Sequence, residues 1–197
     1  MTTASEARRR RAKAAAKYRP ETIELLLIAE APPAALDRYF YFEHVSSHDS
    51  LFGYVVRAVI GVEPSRPDKP IHLRRLRDRG VFLIDLKPEP KETGDGLEEY
   101  VPGLIARATA LHPQNAITIK ANVCDLVQQP LRDAGLNVVD WRIPFPSTGQ
   151  QCRFLEQMNA ALDSIGWRRL RAPTSPSRAG SVPTSYGNEG CARTRYE

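Results

Sequence analysis

Four short apolar runs mark out the chain, and each is halted by proline, glycine or charge. They are "TIELLLIAEAPP" (22–33), "VFLIDLKPEP" (81–90), "NAITIKA" (115–121) and "LNVVDWRI" (136–143). A continuous apolar run of strand length, without alternation, is the pattern of a strand buried on both faces. Between them the spacing turns helical. "SSHDSLFGYVVRAVIG" places Leu51, Phe52, Val55, Val56 and Val59 on one side, with Ser47 or Asp49 available as the cap. "IHLRRLRDRG" continues helically to a stop at Gly80, and "GLEEYVPGLIARATALHP" reads as a helix that Pro102 starts or kinks. "VCDLVQQPLRDAG" is a helix closed by Gly135, and "QQCRFLEQMNAALDSIG" carries Phe154, Leu155, Met158 and Leu162 on one side. Strands alternating with helices predict an α/β fold, a three-layer α/β/α sandwich around a four-stranded parallel sheet.

The ends of the chain differ from its middle. "ASEARRRRAKAAAKY" has high helix propensity but few apolar residues, so it reads as a basic helix that packs little. From about residue 172 Pro, Ser and Gly dominate and apolar residues thin out, the composition of a disordered tail. The organisation expected is a basic arm over 1–20, one domain over 21–171 and a tail over 172–197. A chain of 197 residues with 42% hydrophobic content suits one domain plus ends.

Charge follows the same division. Residues 1–20 hold seven Lys and Arg against Glu6, giving +6, and residues 168–197 hold six Arg against Glu189 and Glu197, giving +4. The total of +5 therefore leaves the middle at −5. Basic ends on an acidic body suit arms that reach a polyanion, although solvated ends have the same composition. The apolar stretch at 23–31 is far shorter than the roughly 20 residues a membrane span needs, so no membrane partner is expected. The Arg run is not followed by an apolar signal region, which points to a bacterial cytoplasmic or nucleoid location, while an Arg-rich, acid-poor start also suits an organelle transit peptide.

Cys124, Cys152 and Cys191 are scattered, without a C-x-x-C pair or a paired His, which argues against a disulfide framework, a metal cage and thiol catalysis. His44 and His48 lie one helical turn apart beside Asp49, but no third ligand is specified, and neither nucleotide-binding glycine motif is present. No metal and no cofactor are expected.

In a parallel sheet ligands sit at the carboxyl edge, so strand ends hold the chemistry. Three of the four ends carry polar residues in unusual settings: "AEAPP", "IDLKPEP" and "PFPSTGQ". Prolines alone would end strands, and Asp85 alone would cap a turn; three such ends on one edge point instead to a shared crevice. The last is also a tight loop running into a helix, a usual way to hold a phosphate.

These residues resemble the uracil-DNA glycosylase superfamily. Ala29-Glu30-Ala31-Pro32-Pro33 is similar to its motif of the kind G-E-A-P-G. Gly80-Val81-Phe82-Leu83-Ile84-Asp85 is similar to a strand ending V-x-L-L-N, and Phe145-Pro146-Ser147-Thr148-Gly149 to its late loop N-P-S-G or H-P-S-P. The resemblance spans about residues 22–165. It implies a monomeric, monofunctional DNA N-glycosylase that flips uracil or a related deaminated base out of DNA and hydrolyses its glycosidic bond.

Carried over residue by residue, Glu30 lies where the iron-sulfur branch keeps a glutamate, fit to polarise water or balance charge on the sugar. Ala31 stands at the position of a catalytic aspartate, so Glu30, or Asp37 nearby, must replace it. Phe40 and Phe42 fall where an aromatic stacks on the base; in an extended run they share one face and Tyr39 and Tyr41 the other. Asp85 stands at the base-reading asparagine. Ionised, it offers acceptors only, so either it is protonated or the base is not plain uracil. Phe145 stands at the His or Asn that donates to the leaving base, a loss of the order of 100-fold to 1000-fold in rate unless another donor serves. Ser147 with Thr148 and Gly149 suits a phosphate pinch beside Pro146. Gln150 or Gln151 lies at the duplex wedge, and Arg153 lies within reach of the backbone. The departures at Ala31 and Phe145 also fit a non-catalytic relative that binds flipped bases or abasic sites, and an α/β protein acting on a small phosphorylated molecule stands as a third reading.

Overall fold

In the computed structural model, which describes residues 3–92, 94 and 96–169, the first apolar run becomes strand β1, Leu25–Ala29, all five residues buried. It is the middle strand. β2 (Val81–Asp85) pairs parallel on one side, Leu25 with Val81 through Ala29 with Asp85; β3 (Asn115–Thr118) pairs parallel on the other, Leu25 with Asn115 through Ile28 with Thr118. The chain is thus an α/β protein with a three-stranded parallel sheet among its described residues.

Among the described residues six α-helices accompany it: α1 (Ala4–Lys17), α2 (Ser50–Ile60), α3 (Lys69–Asp78), α4 (Val101–Ala110), α5 (Ala121–Asp133) and α6 (Gln151–Ser164). α2 packs on α3 and α6, and α3 reaches β2; α4 packs on α5, which contacts β3. Asp49, not Ser47, caps α2, its Oδ1 accepting from the Phe52 amide at 3.1 Å. Pro102 begins α4 rather than kinking it, where its missing N–H costs nothing. Gly80, between α3 and β2, is required twice over. Its φ is +72°, and a Cβ there would meet Glu24 Cγ at 2.6 Å and the Thr22 carbonyl at 2.9 Å.

The fourth apolar run is not a strand. Among the described residues its backbone pairs at two isolated parallel bridges, Ala116 of β3 with Val138 and Ile119, just past β3, with Ile143. Between those bridges β3 advances three residues and the outer segment five. The excess is taken up where the Trp141 amide turns back onto the Val139 carbonyl at 3.0 Å, so a regular ladder cannot form. Val138, Val139 and Ile143 are buried as the pattern requires, while Trp141 is thrown outward. Apolar patterning reports burial, and register decides whether burial becomes a strand.

The basic N-terminal segment also departs from expectation, because α1 is docked. Arg11 is buried, and its Nη2 donates to the carbonyls of Pro33 at 2.8 Å and Ala34 at 3.3 Å. Tyr18 is buried at the helix end, stacked on Tyr41, and its hydroxyl donates to Glu43 at 2.6 Å. Arg8 pairs with Glu89, Lys17 with Glu43, and Arg10 lies over the Phe42 ring. Arginine stems cover apolar surface and their guanidinium groups satisfy loop carbonyls, so a helix poor in apolar residues still packs. Arg9, Lys13 and Arg19 stay exposed. The tail expected over 172–197 lies outside the described residues.

β2 is an edge strand, and its open side is finished by a side chain. The Tyr41 hydroxyl donates to the Leu83 carbonyl at 2.9 Å and accepts from the Leu83 amide at 2.6 Å, fully buried. That one oxygen does what a further strand would do for Leu83. Tyr41→Phe leaves both backbone groups unpaired in an apolar setting. The expected loss, read by urea denaturation, is about 1–3 kcal/mol for each group, and a loss below about 0.5 kcal/mol would mean that water takes over the role.

Candidate functional site

Beyond the last β1 residue the ladder continues into irregular chain. The Leu86 amide donates to the Ala29 carbonyl at 2.8 Å and the Lys87 amide to the Glu30 carbonyl at 2.9 Å, which fixes Glu30 and Asp85 on adjacent strand ends. From α4, Arg107 clamps the same turn, donating to the Asp85 carbonyl at 2.9 Å and the Leu86 carbonyl at 2.8 Å. A cavity of about 390 Å³ opens at this carboxyl edge. Glu30, Asp85, Phe40 and Phe145 all line it, so four of the residues singled out from sequence meet in one place.

The two carboxylates live in opposite environments. Burial would raise the pKa of Glu30, but hydrogen bonds from Lys120 and Asn122, with the charge of Lys91, more than offset it, and the group is held below the usual glutamate value. Asn122 Nδ2 donates to Oε1 at 2.8 Å, Lys91 Nζ lies 3.4 Å from the same oxygen, and Lys120 Nζ contacts Oε2. Asp85 has no such donors. Burial pushes its carboxyl up to about 7 against the pull of Arg107 and Arg11, so near neutral pH it is about half protonated.

The aromatic residues are arranged by a turn, not by strand alternation. The Phe42 amide bonds back to the Tyr39 carbonyl at 3.0 Å, so consecutive residues, and not alternate ones, share a direction. Tyr39 and Phe40 line the cavity, while Tyr41 and Phe42 are core residues outside its wall. Phe40 also packs edge-to-face on Phe52 at 5.5 Å. Of the two phenylalanines considered as a stacking surface, only Phe40 is placed for it.

Asp37 stands apart from the cavity wall. Its Oδ2 accepts from the Ser47 hydroxyl, its carbonyl from the Ser46 amide at 3.1 Å, and its buried Oδ1 has no partner, which is the pattern of a loop brace. The late loop meets the cavity only through Phe145, 37% exposed at the rim; Pro146 is buried, and Ser147, Thr148 and Gly149 are exposed outside the wall. The amides of Ser147 and Gln150 close local turns, onto the carbonyls of Phe145 at 2.8 Å and Ser147 at 2.9 Å. Gln150 and Gln151 are half-buried at the start of α6, and Arg153 is exposed one turn on. Ser147 therefore does not converge with Glu30 and Asp85; it lies two residues beyond the rim.

Lys120 was not singled out from sequence, and it is the cavity's basic counterpart to Glu30. It closes β3, the one strand end whose "ITIKAN" carries neither proline nor acid, so nothing marked it. Its backbone, which no sequence pattern announces, sets it apart: φ is 84° and ψ 129°, outside the left-handed helical well that non-glycine residues visit. Arg38, His48 and Asp49 also line the cavity. Asp49 is already committed, Oδ1 to the cap of α2 and Oδ2 to the buried Lys69 at 2.8 Å, and among the described residues no group of three or more His, Cys, Asp or Glu is placed to hold a metal. No helix among them is long and apolar enough to cross a membrane.

Compared with protein-family models, with curated proteins and with solved structures, the chain matches none.

The raised Asp85 fixes the sign of a pH effect. An unfolded aspartate ionises near its ordinary 3.8 and the folded one near 7, so the folded state binds more protons between those values and loses stability as pH rises through that window. Asp85→Asn removes the titration. Wild type is expected to lose stability relative to Asp85→Asn between pH 4 and pH 7 and to change little above it; thermal melts across pH 4 to 8 check this, and a constant difference would mean that Asp85 stays charged throughout.

Proposed function

We propose that this protein is a DNA base-excision glycosylase that hydrolyses the N-glycosidic bond of uracil, or a related deaminated base, extruded from DNA. The supporting observation is that Glu30, Asp85 and Phe40 line a single cavity at the carboxyl edge of a parallel sheet. Its volume, about 390 Å³, falls in the range of small-ligand sites and admits one base with part of its sugar. Phe40 offers the stacking face, a contact worth about 1–3 kcal/mol per base.

Asp85 resolves the hydrogen-bond arithmetic posed by its replacement of an amide. In the neutral form, which a pKa of about 7 populates, it offers one O–H to a base carbonyl and one oxygen to a base N–H, the same pair an asparagine offers. Glu30, kept ionised by Lys120 and Asn122, is suited to orient water and to balance positive charge developing on the sugar. Phe145 favours the second reading, a non-catalytic binder of flipped bases, because it brings an apolar ring to the rim where a donor would serve the departing base.

Single-site uracil and hypoxanthine oligonucleotides, incubated with the protein and then cleaved at abasic sites with alkali, separate the two. Product is expected with wild type and lost in Glu30→Ala. Excision should fall as pH rises through about 7, where the Asp85 donor is lost while Glu30 stays ionised on both sides. Tight binding without product at any pH would support the binder and end the enzyme.

A further inference from the structure

We infer that Lys120 is an amine nucleophile toward the C1′ aldehyde of an abasic site, so that the same cavity carries a strand-cleaving lyase activity; this rests on the reading that the cavity receives an extruded nucleotide. Three observations lead there. Lys120 lines the cavity with its Nζ on the Glu30 carboxylate. Its backbone sits at φ 84°, ψ 129°, a strained conformation for a residue with a Cβ. That conformation is held from both sides: the Lys120 amide donates to the Ile143 carbonyl at 2.8 Å, its carbonyl accepts from Cys124 at 3.0 Å, and the preceding Ile119 amide donates to Ile28 at 2.8 Å. Pairing Glu30 does not by itself call for a strained lysine here, because Asn122 and Lys91 already face the same carboxylate.

The chemistry balances without a cofactor. Glu30 takes a proton from the Lys120 ammonium, and the free amine adds to C1′ of the ring-opened sugar. The carbonyl oxygen leaves as water to give the iminium. A base, for which the Glu30 carboxylate is placed once it has passed its proton on, then removes a proton from C2′, and the C3′–O bond breaks with its electron pair departing on the phosphate. Water hydrolyses the imine, releasing Lys120 and an unsaturated aldehyde end.

The test uses a duplex with a preformed abasic site and, separately, an intact uracil duplex, each with and without sodium borohydride, which reduces an imine to a stable amine. A protein–DNA adduct on the abasic duplex, with nicking when borohydride is absent, is expected from wild type. Both are expected to be lost in Lys120→Arg, which keeps the positive charge on Glu30 but cannot form an imine; thermal melting confirms that this variant is folded, and Lys120→Gly, suited to the left-handed backbone, gives the same loss if it is not. Equal trapping by Lys120→Arg, or no trapping by a wild type that binds the abasic duplex, overturns the proposal. Excision of uracil is scored independently after alkali, so trapping without excision sinks the glycosylase reading alone, and excision without trapping sinks the lyase alone.

Discussion

A carboxylate that is only 14% exposed must find cations or donors, and Glu30 finds them on a different strand end from its own. Lys120 comes from the link between β3 and α5, Asn122 from the first turn of α5 and Lys91 from the chain after β2, so one charged group ties all three strand ends together at the carboxyl edge. Removing a charge from water is expensive and its pairing repays the cost only in good geometry, so such a cluster is weak evidence for stability and better evidence for a requirement on position. The strained backbone at Lys120 agrees: the fold accepts a local cost to put that amine where it is.

The same edge pushes its two carboxyl groups apart. Glu30, among donors, is held down; Asp85, whose burial outweighs the pull of Arg107 and Arg11, is pushed up. Two acids on adjacent strand ends thus titrate in different ranges, Glu30 ionised and Asp85 partly neutral near pH 7, the arrangement by which a single site holds an ionised group beside a neutral donor. Arg11 belongs to α1, so the docked basic helix contributes to the field at Asp85 as well as to packing.

What the sequence made legible was whatever local patterning controls. The runs at 25–29 and 81–85 were readable as buried strands because their apolar residues are continuous, and Glu30, Asp85 and Phe145 were readable because strand ends of a parallel sheet meet at one edge, while Phe40 was singled out only through the family resemblance. What was not legible depended on register or on a backbone choice. Two surplus residues turned the 136–143 run from a strand into bridges, a turn at 39–42 replaced alternation with consecutive facing, and the φ of Lys120 leaves no trace in a string of letters. The docking of α1 was hidden for another reason: buried arginine does the work that apolar counting assigns to leucine.

The aromatic turn shows why site and scaffold cannot be separated here. Tyr41 must point into the core to satisfy both backbone groups of Leu83 at the open side of β2. With Tyr41 so directed, and the Phe42 amide bonded to the Tyr39 carbonyl, the residues before it are turned the other way, toward the cavity. The Tyr39 carbonyl is gripped from below by the buried Lys69, whose ammonium also lies over the Phe52 ring that packs on Phe40. The orientation of the Phe40 ring on the cavity wall is therefore a consequence of finishing a sheet edge and satisfying a buried lysine. The Phe40 ring is held edge-to-face by both Tyr41 and Phe52, so it is ordered in advance, and any ligand that packs on it is spared the entropy of fixing a ring free to turn.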